Sequence, residues 1–291
     1  MEWLESLVLG VVQGITEFLP VSSDGHLLLT QNLFAWLTGV AKSGKENLFF
    51  DVILHLGTTA AILVHYRKVI AQGVRGLLGA ENVEPGFRRP ELIRVGLLAA
   101  VATSPLIPLA LFLKKMIEKT FDGIAYAGVG FLITAAVLIM TGWLSRRDGK
   151  KGPAAMTWLD ALLIGLAQMF APLPGVSRSG LTIAAALALG LSRTWAVGFS
   201  LMIAVPAILG AAVWEMRHVD PSSLSQDRVV PAIMATVLAG VVGYFAIIWL
   251  TKIVQSGRIW YFAIYLVLLG LAVLAMVAFG PGHLTAVPPP G

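Results

Sequence analysis

Residues 170–183 read FAPLPGVSRSGLTI. They interrupt Trp158–Leu191, a stretch otherwise almost entirely apolar. Two prolines, two glycines, three hydroxyls and an arginine in a hydrophobic run need a reason, and it depends on what surrounds the run. The chain has 291 residues, 57% of them hydrophobic and only 13% charged, with a mean hydropathy of +0.82. A soluble domain carries about 25% charged residues to cover its surface. Half that fraction, in several runs near the length of a bilayer span, identifies an integral membrane protein.

Six segments are long and apolar enough to cross: Phe49–Tyr66, Leu92–Leu113, Ile124–Leu144, Ala196–Trp214, Val229–Leu250 and Trp260–Phe279. Two regions do not fit. Glu2–Leu37 is broken by polar residues around Pro20 and by Ser22–His26, and Trp158–Leu191 is broken by the opening stretch. As helices, the halves Trp158–Ala171 and Leu181–Leu191 rise about 21 and 16 Å. Neither crosses about 30 Å of hydrocarbon. Each broken region is therefore expected to be a re-entrant helical hairpin that turns at mid-membrane, the alternative being one kinked span with an unwound centre. Irregular backbone at that depth must face protein or a water-filled cavity.

The expected fold is an all-α polytopic membrane protein with six transmembrane helices plus two re-entrant hairpins. The order, hairpin then three spans, twice over, makes the second half inverted. Residues 1–151 form the first repeat, 152–280 the second, and the tail PGHLTAVPPPG (281–291) is expected to be disordered. With both termini outside, 13 basic residues fall in inside loops (67–94, 146–151, Arg193, Lys252 and Arg258) and 7 outside, as the positive-inside rule requires. The net charge of +5 is thus a topology signal, and no nucleic-acid partner is expected. The acidic start, MEWLESLVLG, is unlike a cleavable signal peptide and is expected to be retained. There is no cysteine, so no disulfide or thiolate chemistry. Without gaps, residues 10–26 lie over 165–181 with identities at Gly10/Gly165, Gln13/Gln168, Val21/Val176, Ser22/Ser177 and Gly25/Gly180. Inverted repeats hold their sites near the midplane, where broken helices meet.

The two polar loops carry complementary chemistry. In the second, Pro174 and Gly175 end the incoming helix and Gly180 frees the turn. Ser177, Ser179 and Thr182 stand at the start of the outgoing helix, where free N–H groups and the dipole collect anions. Arg178 adds a fork of donors suited to phosphate oxygens. The bland alternative is that the serines cap a helix and Arg178 pairs with Glu17. In the first loop, Gln13 and Glu17 share a helix face, and Glu17, Ser22, Ser23, Asp24 and His26 fall within ten residues. A carboxylate beside a phosphate cradle invites a divalent cation bridging the two. A serine near a carboxylate and a histidine points to an activated nucleophile. His55, His65 and His218 read as structural or exposed, and Trp260, Tyr261 and Tyr265 as interfacial or packing residues.

QGITEFLPVSSDGH (13–26) with PGVSRSGLT (174–182) resembles the undecaprenyl-pyrophosphate phosphatase family of bacterial inner membranes. The likeness extends through FFDVILHLGTTAAILVHYR, FSLMIAVPAILGA and WYFAIYLVLLG. It implies a multi-pass inner-membrane enzyme that hydrolyses a polyprenyl diphosphate to the monophosphate, recycling the lipid carrier for peptidoglycan, with Mg2+ or Ca2+ and a link to antibiotic resistance. By the resemblance, Gln13 and Glu17 belong to the metal-associated acidic motif, Ser22, Ser23 and His26 to the serine-histidine segment, and Ser177, Arg178 and Ser179 to the phosphate-binding loop; Ser22, Gly175 and Thr182 are expected to join that loop in binding substrate. Glu17, Ser23, His26 and Arg178 are the expected catalytic residues. Ser23 is the first choice of nucleophile, His26 the second and a metal-activated water the third. Two positions depart from the pattern: Gln13 replaces a carboxylate, and Asp24 stands where threonine is usual. Asp24 is expected to restore the missing negative charge near the metal, the alternatives being that it caps the helix beginning at Gly25 or weakens activity by repelling the substrate. The alternative function is a transporter or flippase for an anionic lipid-linked substrate, which needs the anion site and no nucleophile. A second class of membrane phosphatase is excluded, because after Ser177-Arg178 the next histidine is His218, too distant for that class. Membrane lipids are the expected surroundings, and the oligomeric state is open, a homodimer included.

Overall fold

In hydrocarbon every backbone N–H and C=O needs an internal partner, which leaves the helix as the natural element for a chain of this hydropathy. The computed structural model of the chain describes residues 3–39, 44–80, 82–113, 116, 123–144, 148–217 and 226–280. Among them are eleven helices of ten residues or more and no strand, only an isolated bridge between Lys151 and Leu191. The first half holds α1 (Trp3–Thr16), α2 (Ser23–Thr38), α3 (Gly44–His65), α4 (Arg67–Leu77), α5 (Arg89–Thr103) and α6 (Ile124–Leu144). The second holds α7 (Trp158–Gln168), α8 (Arg178–Ala188), α9 (Arg193–Met216), α10 (Gln226–Gln255) and α11 (Tyr261–Phe279). The tail 281–291, His218 and the loop cations Lys42, Lys114, Lys115, Lys119, Arg146 and Arg147 lie outside the described residues.

Five helical stretches are long and apolar enough to cross a membrane: Arg89–Pro108, Ile124–Trp143, Arg193–Met216, Val229–Gln255 and Tyr261–Phe279. They correspond to five of the six expected spans. The sixth falls on α3, whose apolar part, Phe50–His65, is shorter. Both regions expected to be broken are broken: α1 and α2 are separated at residues 17–22, and α7 and α8 at 169–177. Both helices of the second broken region start on a side-chain cap. Thr157 and Asp160 close a reciprocal capping box that starts α7, and α8 starts on Ser177, whose hydroxyl accepts from Gly180 N.

Two details depart from the expected outline. The span beginning near Leu92 is regular only to Thr103, because Pro105 and Pro108 withhold amide donors from the ladder. The chain goes on through a short turn, Leu106–Pro108, and a π-helical stretch, Leu109–Leu113. The basic segment after α3 contains a helix, α4. It turns Ile70, Val74 and Leu77 to one side and Lys68 and Arg75 to the other, all largely exposed except for their contacts with α5. That pattern suits a helix lying at a membrane surface.

The helices pack closely where small residues meet. α1 runs along α10, and α7 along α5. A Cβ added at Gly10 would sit 2.5 Å from the Ala235 carbonyl oxygen, and one at Gly165 would sit 2.4 Å from that of Ala102. Apolar burial alone gives little drive between helices in lipid, so such backbone-to-backbone approach is how they associate. The turn between α1 and α2 is inside the protein, since Phe18, Leu19 and Val21 belong to the main buried cluster with Phe131 and Phe199. Gly10→Ala and Gly165→Ala should each destabilise the fold by about 1–3 kcal/mol, the usual cost of overpacking. Gly96→Ala, with nothing within 4 Å of the added Cβ, should not. Thermal denaturation of the purified protein in detergent reads the difference, and equal melting temperatures for all three variants would contradict the packing.

Candidate active site

The two interruptions meet. Arg178, the first residue of α8, places Nη2 2.6 Å from Oε1 of Glu17, which lies just past the end of α1. Ser179 Oγ donates to the Leu19 carbonyl at 3.1 Å, a second tie between the loops. The second loop is braced from behind by α6. Thr134 Oγ1 donates to the Gly175 carbonyl (3.2 Å) and accepts from Ser177 N (3.1 Å). Gly175 adopts φ 79°, a backbone that only glycine takes freely, and its α-carbon lies against Ala127 and Phe131.

Glu17 is the hub. Its side chain is 4% exposed. Oε2 accepts from Ser23 Oγ at 2.8 Å and from Gln13 Nε2 at 3.0 Å, while Oε1 holds Arg178. A carboxylate taken out of water needs this density of donors, because an unpaired buried charge is costly. Arg178 is 15% exposed, and its guanidinium carries five N–H donors, so pairing with Glu17 leaves capacity for an anion. The bland alternative describes what is seen, since Ser177 does cap a helix and Arg178 does pair with Glu17, and it is compatible with the functional one.

A cavity of about 620 Å3 opens in front of this pair. Its lining includes the polar side chains of Glu17, Ser22, Ser23, Asp24, Ser177 and Arg178. It also includes apolar ones: Leu106, Ile107 and Leu109 from the segment after α5, and Pro206 and Ile208 from α9. It extends to Leu111 and Glu215. Charged and apolar groups in one lining suit a charged head with a greasy tail.

Not every expected residue faces it. Ser179 and Thr182 are buried outside the lining. Ser179 bonds Leu19 and shares a 3.1 Å contact with Ser177 Oγ. Thr182 Oγ1 is 2.6 Å from Ser200 Oγ on α9, locking α8 in place. Gln13 is fully buried and supports Glu17 from the side away from the cavity lining. His26 is also outside the lining: its Nδ1 is 2.7 Å from the Ser22 carbonyl and its Nε2 2.7 Å from Tyr265 Oη. Tyr265, read from the sequence as a packing or interfacial residue, thus holds a specific polar contact. Ser22 has φ 71° and ψ 102°, the one positive φ outside glycine among the described residues. Such backbone costs of order 1–3 kcal/mol and persists only where its surroundings enforce it.

The structure adds residues that the sequence reading left out. His55, read there as structural or exposed, lines the cavity. Its Nε2 is 3.5 Å from Glu17 Oε2 and 3.9 Å from Asp24 Oδ1, and its Nδ1 is 2.7 Å from the Asp51 carbonyl. That carbonyl only accepts, so Nδ1 carries a hydrogen and Nε2 is the atom turned to the carboxylates. Asp51 also lines the cavity and accepts from Gln31 Nε2 at 3.1 Å. The available signal was Asp51 and His55 four apart, hence on one face of a span, where ionisable residues are rare and functional. His65 packs edge-on against Tyr66 and Tyr244, away from the site.

Among the described residues no three His, Asp or Glu side chains are spaced to hold a metal ion alone. Mg2+ is commonly bound through one or two carboxylates together with substrate phosphates. Asp24, 60% exposed and in the cavity wall beside Glu17, offers the carboxylate that such a shared site needs, so the donor set fits a cation arriving with a diphosphate.

The sequence family described as bacitracin resistance protein BacA matches residues 6–272. The chain is 37% identical over 285 residues to an undecaprenyl-diphosphatase of Carboxydothermus hydrogenoformans, covering 96% of this chain and 99% of that one. It is 38% identical over 285 residues to one from Corynebacterium glutamicum, covering 96% and 92%. A third, from Desulfosudis oleivorans, is 39% identical over 280 residues, covering 93% and 97%. With its apolar helices and its match along almost the whole length, the chain is an integral membrane protein that belongs to the BacA family.

Proposed function

We propose that the chain hydrolyses undecaprenyl diphosphate to undecaprenyl phosphate and inorganic phosphate, returning a lipid carrier to cell-wall polymer synthesis in the bacterial inner membrane. One observation carries the reading: the Glu17–Arg178 contact lines a cavity that apolar side chains also line. The relatives named as undecaprenyl-diphosphatases support it. The transporter alternative draws nothing from those names.

In the proposed reaction Ser23 Oγ attacks the terminal phosphorus and passes its proton to Glu17 Oε2, 2.8 Å away. The bond to the bridging oxygen breaks, and undecaprenyl phosphate leaves. Water then attacks the phosphoserine, Glu17 returns the proton to Ser23 Oγ, and inorganic phosphate departs. Arg178 stabilises charge on the transferred group. Ser23 is favoured over His26 as nucleophile because it lines the cavity and His26 does not. A divalent cation held by the phosphates with Asp24 and Glu17 would neutralise charge on the diphosphate. His55 Nε2 supplies a second polar contact to the Glu17 side of the site.

We also propose the six-span, two-hairpin topology with an inverted repeat divided near 151/152. The short halves favour it: α1 has 14 residues, α7 and α8 have 11 each, and such helices rise about 21 and 16 Å. The aligned pair Gly10 and Gly165 meets backbone at Ala235 and Ala102, on α10 and α5, which are themselves counterparts in the repeat. The cavity's reach to Leu111 and Glu215, at span ends assigned outside by charge, favours an outward opening.

Phosphate release from a polyprenyl diphosphate by the purified protein tests the function. Ser23→Ala should lower turnover at least about a thousandfold while substrate binding persists; undiminished release would sink the mechanism. Arg178→Lys keeps the charge but loses the planar fork, and a drop of about 10²–10³ in kcat is expected. A chelator should suppress the wild type reversibly. Asp24→Thr should raise the Mg2+ concentration needed for half-maximal activity, and Gln13→Glu in that background should not fully restore it, since Gln13 is not a cavity residue. Unchanged metal dependence in Asp24→Thr rules Asp24 out of the cation site.

A further inference from the structure

Ser23 is useful to the reaction only if its hydroxyl points at Glu17, and its direction is set by the residue before it. Ser22 holds φ 71°, a conformation L-residues adopt only under constraint. Its own cap is a weak restraint, since Ser22 Oγ accepts from Gly25 N at 3.4 Å, near the limit of a hydrogen bond. The short contact is elsewhere. The Ser22 carbonyl accepts from His26 Nδ1 at 2.7 Å, in addition to the His26 backbone N–H at 3.3 Å.

The imidazole is fixed from three helices. It starts on the first turn of α2, meets the edge of Phe131 on α6 at a ring distance of 5.2 Å, and stacks on Tyr265 of α11 at 5.7 Å and 19°. Proton accounting assigns each contact. A carbonyl only accepts, so Nδ1 carries the hydrogen; Nε2 of the neutral ring then accepts from Tyr265 Oη–H at 2.7 Å. Both ring nitrogens are spent, and neither belongs to the cavity wall. Such an imidazole is a strut. Its outer end is anchored by a residue 239 positions away in the sequence.

We propose that Tyr265 is a positioning residue: through His26 it fixes the Ser22 peptide and so aims Ser23 Oγ at Glu17. The chain of contacts runs Tyr265 Oη to His26 Nε2, His26 Nδ1 to Ser22 O, then along the backbone to Ser23 Oγ and Glu17 Oε2. This rests on the reading of Ser23 as nucleophile. It gives His26 a role that involves no proton exchange with substrate and gives Tyr265 a role no packing residue has.

The test uses full-length protein in detergent, steady-state phosphate release from undecaprenyl diphosphate and a melting temperature for each variant. Tyr265→Phe should lower kcat about tenfold, the scale of one lost hydrogen bond, with KM within about twofold because the cavity wall is untouched. His26→Asn keeps an N–H donor near the place of Nδ1 and should retain at least about ten times the kcat of His26→Ala. Adding Tyr265→Phe to His26→Asn should cost nothing more, as a coupled pair requires. An unchanged kcat in Tyr265→Phe overturns the proposal, as does a loss that falls on KM alone. Should Tyr265→Phe fail to fold, the histidine pair decides: His26→Asn as inactive as His26→Ala means the ring acts in the chemistry and the strut is wrong. Ser23→Ala separates the two readings, since full activity there removes the nucleophile assignment itself, whatever Tyr265→Phe does.

Discussion

A carboxylate and a guanidinium in contact inside a membrane protein organise everything around them. Glu17 and Arg178 come from different halves of the chain, 161 residues apart, and each would be expensive to bury alone. Losing one partner of a buried pair typically costs about 3–5 kcal/mol, so the pair ties the position of one loop to that of the other. Additional donors make the contact tolerable: Gln13 and Ser23 on the carboxylate, and the Ser179–Leu19 bond beside it. These donors also direct Glu17, with one oxygen given to the guanidinium and the other to Gln13 and the serine.

That contact constrains the scaffold more than it constrains the loops. Two irregular segments can lie deep in the protein only if neighbouring helices come close enough to cover them. Small residues permit this. At Gly130 an added Cβ would sit 2.0 Å from the Pro174 carbonyl oxygen, and at Gly25 it would meet Phe131 and Gly175. Thr134 then satisfies both a carbonyl and an amide of the second loop. Hydroxyls from the loop, notably Thr182 to Ser200, fix α8 against α9. Much of the polar inventory that reads as ligand-binding in the sequence is therefore employed in holding the cradle still.

Local chemistry made the two loops legible. Prolines and glycines among apolar residues announce broken helices, and Glu17 and Arg178 stand out because charge is rare in such runs. The five spans recovered by length follow from hydropathy alone, while the π-helical turn after Pro105 and the surface helix α4 needed the coordinates. What the sequence hid was distance. His55 in HLGTT is marked locally only by its spacing from Asp51, and its partners are Glu17 and Asp24, more than thirty residues away. Tyr265 is worse placed for reading, an aromatic in an apolar span whose only distinctive partner is His26. Conversely His26 stood out in SSDGH as a chemical group, and the fold turns its ring away from the cavity.

The two histidines show how a backbone hydrogen bond can decide what an imidazole does. In both, Nδ1 is committed to the carbonyl four residues earlier, Ser22 for His26 and Asp51 for His55. Both therefore present Nε2 as the variable atom. For His26 that atom is closed off by Tyr265 Oη; for His55 it faces Glu17 and Asp24 across the cavity. Identical helical geometry thus yields a strut in one case and a cavity-facing group in the other. The difference lies entirely in what the packing of α11 and of the first loop sets against Nε2. Residue type narrows the candidates for chemistry, and the partner of the second nitrogen selects among them.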